Sequence, residues 1–250
     1  MANYEALRTI FQHSNEELQH IVSFLQDRED LSNPTTVLIG GWAVDSYNPW
    51  YGSIDIDLIT NSRTRNSLKN HLVANRGFAR TRHWDDTKRV EKMIEPGKAI
   101  IIDFGTREQE DPFEGQDCCI NYGILDGQTE LRQIRGGVRF PVPKRTVLLL
   151  FKLKAAWDRN YRIVHGTSHD AEWERGKLTK DRADILALLD RNRGGQEVDL
   201  SFLGEKMEKY AFLKGCLHEV AHDIDAVGRY ERMSPEEAEE LIERVLSMIE

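Results

Sequence analysis

The sequence has few cysteines, no long apolar run and no internal repeat. Only three cysteines occur among 250 residues, two of them the adjacent pair Cys118 and Cys119, so neither a disulfide framework nor a spaced zinc quartet is expected. No apolar stretch approaches the roughly 18 residues that span a bilayer. The charged N-terminus lacks the apolar core of a signal peptide. These absences predict a cytoplasmic protein that makes no membrane contact.

The composition favours a folded protein of two lobes. Hydrophobic residues make up 40% and charged residues 30% of the chain, which is enough apolar material for a sizeable core. A length of 250 residues exceeds what a single minimal domain needs. The net charge of -8 comes mainly from the part after residue 200, which weakens the case for a nucleic-acid partner without excluding one.

Strand-like and helix-like patterns alternate in the first 143 residues. Ser14 and Glu17 have the spacing of a capping box, which predicts that the first helix is interrupted and restarts there. Period-two alternation marks the strands, and period-3.6 spacing marks the helices. We predict helices at 4–28, 42–47 and 63–76, and strands at 35–39, 53–60, 78–84, 88–95 and 98–106.

Helical patterns dominate from residue 144 to the C-terminus. We therefore expect two domains, residues 1–143 and 144–250. The predicted fold class is α+β, with a small mixed or antiparallel β-sheet and flanking helices, followed by a helical lobe.

Two aspartates on a predicted strand form the strongest chemical signal. Asp55 and Asp57 are two residues apart within 53–60, so on a strand both carboxylates leave the same face. Two close carboxylates repel each other unless a cation neutralises them, and their hard oxygens suit magnesium. Asp103, at the end of a neighbouring apolar strand, is the predicted third carboxylate, either as a metal ligand or as the acceptor of a proton.

A pair of glycines precedes these aspartates. Gly40 and Gly41 follow a short β-branched run and precede a helix-like stretch. Without β-carbons the backbone can approach a triphosphate closely, and amide groups at the start of the following helix would point at the anion. The sequence therefore predicts a phosphate-binding turn beside the carboxylates.

The stretch IGGWAVDSYNPWYGSIDIDLIT resembles the signature of the DNA polymerase β-like nucleotidyltransferase superfamily. Its GGWAVD portion is similar to lincosamide and aminoglycoside nucleotidyltransferases. The later chain looks closer to AbiEii-type toxins, in which a Lys-Leu-x-Ala-x-x-x-Arg helix precedes a Lys-Asp-x-x-Asp helix. The residues that match these two elements are Lys152, Leu153, Ala155 and Arg159, and then Lys180, Asp181 and Asp184.

The resemblance implies transfer of a nucleoside monophosphate from an NTP, such as ATP, to a hydroxyl acceptor, with release of pyrophosphate. The acceptor could be tRNA, a protein or a small molecule, and an antitoxin would be a further partner. Two magnesium ions would be held by Asp55, Asp57 and Asp103, which are also the catalytic residues. Nucleotide binding would fall to Gly40, Gly41, Ser53, Lys152 and Lys180.

Two alternatives remain open at this stage. Many members of the superfamily have serine after the glycine pair, where this chain has Trp42, so a non-catalytic nucleotide-binding module is one of them. The second is a zinc metallopeptidase, because His218-Glu219-Val220-Ala221-His222 spells H-E-x-x-H. Its third ligand would come from Glu239, Glu240 or Glu243.

Overall fold

A computed structural model of the chain describes residues 4–30, 33–80 and 88–249. The chain forms two compact units. The sheet unit consists of Met1–Gln109 and Asn121–Pro143, and the helical unit consists of Glu110–Ile120 and Lys144–Glu250. The expected α+β class is confirmed, because strands and helices alternate in the sheet unit and helices dominate afterwards.

A mixed sheet forms the centre of the sheet unit. The strands are β1 (Val37–Ile39), β2 (Ile56–Thr60), β3 (Ala79–Arg80), β4 (Arg89–Glu95) and β5 (Lys98–Thr106). Their order in the sheet is β1-β2-β5-β4-β3. Strands β2 and β5 run parallel, whereas the pairs β1–β2, β4–β5 and β3–β4 run antiparallel.

The two faces of this sheet differ in burial. Ile56, Leu58, Ile102 and Val90 are fully or almost fully buried and belong to one face. Their neighbours Asp57, Asp103 and Arg89 lie on the other face, as strand alternation requires, and stay partly exposed. Asp57, Asp103 and Arg89 thus share the face opposite these four apolar residues.

Helix α1 (Tyr4–Gln26) packs beside the apolar face. The side chain of Glu17 is 3% exposed and forms ion pairs with Lys92 of β4, at 2.6 Å, and Arg76, at 3.1 Å. Arg76 directly follows α3 (Ser62–Asn75), so these pairs hold α1, α3 and β4 together. Both ion-pair partners lower the pKa of Glu17 against the opposing effect of burial.

The predicted capping box at Ser14 is wrong, because α1 continues without interruption through this position. The Ser14 hydroxyl instead donates to the carbonyl oxygen of Ile54 at 2.7 Å and accepts from the Trp42 indole at 3.0 Å. A helix that buries one face gains more from packing than from an internal cap. Ser14 therefore fixes the segment that leads into β2.

A hairpin of β8 (Thr129–Gln133) and β9 (Arg139–Pro143) supports the short helix α2 (Gly40–Tyr47). The Tyr47 hydroxyl donates to the carbonyl oxygen of Pro143 at 2.8 Å, and Arg135 makes a two-bond ion pair with Asp45. These contacts position α2 directly after β1.

The helical unit contains all the α-helices from Arg145 to Met248. Ser234 and Glu237 form the capping box that starts its last helix, with Pro235 as the first helical residue. Strands β6 (Glu110–Pro112) and β7 (Cys119–Asn121) flank its earlier segment. The helices are α4 (Arg145–Val164), α5 (Ala171–Leu189), α6 (Leu200–Lys209), α7 (Phe212–His222), α8 (Ile224–Tyr230) and α9 (Pro235–Met248).

No helix in the described ranges combines the length and apolarity needed to cross a membrane. The predicted strand 78–84 is described only in part: β3 covers Ala79–Arg80, Phe78 precedes the strand, and residues 81–84 lie outside the described residues.

Candidate functional site

Three charged side chains lie in a row across the sheet face opposite Ile56 and Ile102. Asp57 of β2 pairs in register with Asp103 of β5, and Asp103 pairs in register with Arg89 of β4. Register partners on adjacent strands project from the same face. Asp57, Asp103 and Arg89 therefore stand side by side, and we call them the charged row.

Asp57 also lies against the backbone of Gly40. Gly40 has φ +68, a left-handed conformation that glycine adopts without penalty. A β-carbon at this position would overlap the Oδ2 atom of Asp57 and come within 2.9 Å of its Cγ atom. The fold thus brings an aspartate of the row into contact with the first glycine of the pair.

The beginning of helix α2 lies at this contact. Its N-cap, Ile39, supplies no side-chain hydrogen bond, and no acidic residue occurs in the first turn. The partial positive charge of the helix start is therefore not balanced by a residue of that turn. Gly41, the second glycine, is buried within α2.

Replacing Gly40 with alanine should destabilise the sheet unit and displace Asp57. Gly77→Ala is a matched control, because Gly77 has φ +71 in the same unit but no atom within 4 Å of the added β-carbon. The left-handed backbone alone costs about 1–2 kcal/mol with alanine, which both variants bear. We expect a clearly larger loss for Gly40→Ala in chemical denaturation, because Asp57 must also move; equal losses would contradict the described contact.

Arg89 holds Asp103 through two hydrogen bonds, from Nε at 2.7 Å and from Nη2 at 3.1 Å. The side chains of Arg89 and Asp103 remain 38% and 37% exposed. Because both side chains are more than a third exposed, solvent screens this ion pair, and a divalent cation can compete with the guanidinium for the carboxylate. Arg89 is not among the site residues predicted from the sequence; the available signal was its position at the start of a strand that alternates in polarity.

Asp55 does not lie on a strand, contrary to the prediction for 53–60. Strand β2 begins at Ile56, and Asp55 precedes it in a bend. Strand alternation by itself therefore does not fix the side of the sheet on which the Asp55 carboxylate lies. Ser53 is buried in the same irregular segment, at 7% exposure.

The described ranges contain no group of three or more His, Cys, Asp and Glu side chains arranged to hold a metal ion. Asp57 and Asp103 offer two neighbouring carboxylates. That number fits magnesium, which is commonly bound through one or two carboxylates together with substrate phosphates and water.

Lys152 and Lys180 belong to a buried ion network between α4 and α5. Lys152 lies 2.7 Å from an oxygen of Asp181 and 2.7 Å from an oxygen of Asp184. Lys180 lies 2.8 Å from Asp184, and Arg159 lies 2.8 Å from Asp181. The charged residues that resemble the two helical motifs of AbiEii-type toxins are thus joined to each other by ion pairs.

Burial and charge act in opposite directions on this network. Burial alone would lower the pKa of Lys152, but the Asp181 and Asp184 carboxylates outweigh it and raise that pKa. Burial would raise the pKa of Asp181, but Lys152 and Arg159 reverse the effect and hold it well below its usual range. For Lys180, burial together with repulsion from Lys152 outweighs the attraction of Asp184, so its pKa is lowered.

The H-E-x-x-H segment lies on α7, with His218, Glu219 and His222 exposed. The two imidazole rings are 4.6 Å apart between centroids. Glu219 lies 3.8 Å from Arg182. Within the part of the chain that the structure describes, no third His, Cys, Asp or Glu completes a metal site with this pair, so the glutamates of α9 do not supply the ligand that a peptidase needs.

Comparisons with protein-family models and with curated proteins found no match to this chain. The features of the chain that indicate a function are therefore the charged row and its contact with Gly40.

Proposed function

We propose that the protein is a magnesium-dependent nucleotidyltransferase. The observation that carries the proposal is the register pairing of Asp57 with Asp103, next to the left-handed Gly40 at the start of α2. It combines neighbouring carboxylates, which suit a hard cation, with a helix start, which suits a phosphate.

Asp57 and Asp103 would hold magnesium through their carboxylate oxygens, and Asp55 remains a further candidate ligand. When bound, magnesium neutralises phosphate charge and promotes ionisation of the acceptor hydroxyl. Arg89 keeps Asp103 in place and would release at least one of its oxygens on cation binding. The half-exposed geometry of that ion pair allows the exchange.

The proposed reaction is an in-line displacement at the α-phosphorus of the NTP. A bond forms between the acceptor oxygen and the α-phosphorus, and the bond from this phosphorus to the bridging oxygen of the β-phosphate breaks. The electron pair leaves with pyrophosphate, and the proton of the hydroxyl passes to a carboxylate, for which Asp103 is our candidate. The fixed positions of Asp57 and Asp103 on paired strands would supply the alignment.

Nucleotide binding is assigned to Gly40, Gly41 and Ser53, with Lys152 and Lys180 as proposed ligands of the triphosphate. The two lysines already have a structural role in the buried network. A contribution to phosphate binding would require part of that network to rearrange. The acceptor is left open among tRNA, a protein hydroxyl and a small molecule, in the cytoplasm and with an antitoxin as a further proposed partner.

A non-catalytic nucleotide-binding module is the second candidate function. Trp42 follows the glycine pair at a position where the superfamily often has serine. Tryptophan has no hydroxyl to offer a phosphate. The Trp42 side chain is 1% exposed, and its indole NH donates to Ser14. This difference from the superfamily favours a module that binds the nucleotide but holds its phosphates more weakly.

A labelling experiment separates the two functions. The purified protein is incubated with each of the four NTPs labelled at the α-phosphate, with magnesium, and with separate pools of tRNA, protein and small molecules. A transferase moves the label to one pool and releases one pyrophosphate for each transfer. Saturable binding of magnesium and NTP without pyrophosphate release would favour the module instead.

A further inference from the structure

Two exposed histidines of α7 form a feature that the proposed transferase does not use. His218 and His222 are four residues apart on this helix, so both imidazoles lie on one face, one turn apart. Their ring centroids are 4.6 Å apart, and the ring planes are inclined by 69°. The rings are therefore neighbours on the surface and do not stack face to face.

This separation suits joint coordination of a metal ion. Zinc binds imidazole nitrogen at about 2.0–2.1 Å in tetrahedral geometry, which places two such nitrogens about 3.4 Å apart. A ring nitrogen lies roughly 1.1 Å from the ring centroid, so centroids 4.6 Å apart need only small side-chain rotations to reach that spacing. Imidazole is also the ligand that zinc, copper and nickel accept readily.

The charges around the pair favour a cation. Glu219 and Asp225 are exposed close to it in sequence. The guanidinium of Arg182 is occupied by Asp223 at 2.9 Å and lies 3.8 Å from Glu219, which limits its repulsion of a metal ion. Lys214, one turn before His218, is the opposing charge on α7.

The nearby thiol is unsuitable as a ligand. Cys216 is buried, and its sulfur lies 3.6 Å from the carbonyl oxygen of Leu153. Burial raises the pKa of Cys216 to about 12, so the thiol stays protonated at neutral pH, whereas metals bind the thiolate.

We propose that His218 and His222 form a surface site for a divalent transition metal such as zinc, with water completing the coordination. The metal joins two successive turns of α7 and thereby stabilises the helical unit. This site is separate from the charged row in its residues and in its ligand chemistry, because it uses two nitrogens, whereas the row uses carboxylate oxygens.

The test is a calorimetric titration of zinc chloride into the full-length protein, prepared without a histidine tag and in excess magnesium. We expect one zinc ion per chain and a higher thermal midpoint with zinc. His218→Asn and His222→Gln should each weaken binding by about tenfold or more, because a single imidazole loses the advantage of the second, tethered ligand. Circular dichroism checks that each variant is folded.

Two control variants test whether zinc binding is specific to His218 and His222. His169→Ala removes another exposed histidine of the helical unit and should leave the zinc affinity unchanged. Glu219→Gln should weaken zinc binding far less than either histidine variant, because Glu219 contributes only its charge and is not a proposed ligand. Zinc binding that persists in the folded double variant of His218 and His222, or that is lost in the His169 variant, would overturn the proposal; neither result depends on nucleotidyl transfer.

Discussion

Asp57→Asn is expected to lower the rate of nucleotidyl transfer by about 10²–10³-fold or more, the loss typical when a group that stabilises transition-state charge is removed. Asparagine preserves the size of the side chain next to Gly40 but removes the charge that would hold magnesium. Thermal stability should change little, since the Asp57 side chain is only partly buried and asparagine matches its size. The assay follows α-phosphate label and pyrophosphate under single-turnover conditions.

Asp27→Asn provides the control for this loss. Asp27 is exposed just after α1 in the same unit, and its replacement removes one negative charge without touching the charged row. Its transfer rate should equal that of the unmodified protein. A folded Asp57→Asn protein that transfers label at the normal rate would show that the charged row is not the catalytic site.

Lys152→Met is expected to destabilise the helical unit by about 3–5 kcal/mol, the range observed when one partner of a buried ion pair is removed. The change leaves the carboxylates of Asp181 and Asp184 inside the protein without their shared ammonium group. Urea denaturation at pH 7 measures the difference. A loss below 1 kcal/mol would contradict the account of a buried network.

The surface pair of Lys206 and Glu205 is the matched control, because its atoms are 2.6 Å apart but Glu205 is 68% exposed. Lys206→Met should cost at most about 1 kcal/mol.

The buried network of Lys152 and Asp181 also predicts how the free energy of unfolding depends on pH. The lowered pKa of Asp181 gives stability that is lost as the pH falls below about 4, and the raised pKa of Lys152 gives stability that is lost only above about 10.

The bounds of a strand were predictable where every residue of a segment with alternating polarity also pairs with a neighbouring strand. Strand β5 has the predicted bounds, and β4 begins one residue later than predicted. The predicted start of β2 was wrong, because β1 ends at Ile39, opposite Asp57, where helix α2 begins. Residues before Ile56 therefore have no β1 residue to pair with, although their polarity still alternates.

Local sequence patterns did not predict that the segment 110–120 belongs to the helical unit. It belongs to the helical unit because the Glu114 amide donates to Asp158 at 3.0 Å and the Trp157 indole donates to the Glu114 carbonyl at 3.0 Å. These partners are more than 40 residues away in sequence. The change to helical periodicity after residue 143 is visible in the sequence, whereas the contacts that assign 110–120 to the helical unit are not.

The candidate site was predictable in its residue types but not in its geometry. Asp57 and Asp103 were identified from their strands, but their register depends on β2 and β5 being parallel neighbours. The ion pair of Arg89 with Asp103 depends on the same arrangement. The lysines of the helical unit resembled phosphate ligands, and only the fold shows that Asp181 and Asp184 neutralise them.

Metal binding in the presence of nucleotide tests the central claim most directly. Manganese, which replaces magnesium in carboxylate sites, is titrated into the protein with a non-hydrolysable NTP analogue and followed by electron paramagnetic resonance. We predict that the unmodified protein binds manganese together with the analogue, and that Asp57→Asn combined with Asp103→Asn abolishes this binding in a folded protein. Equal manganese binding by both proteins would contradict the assignment of the charged row.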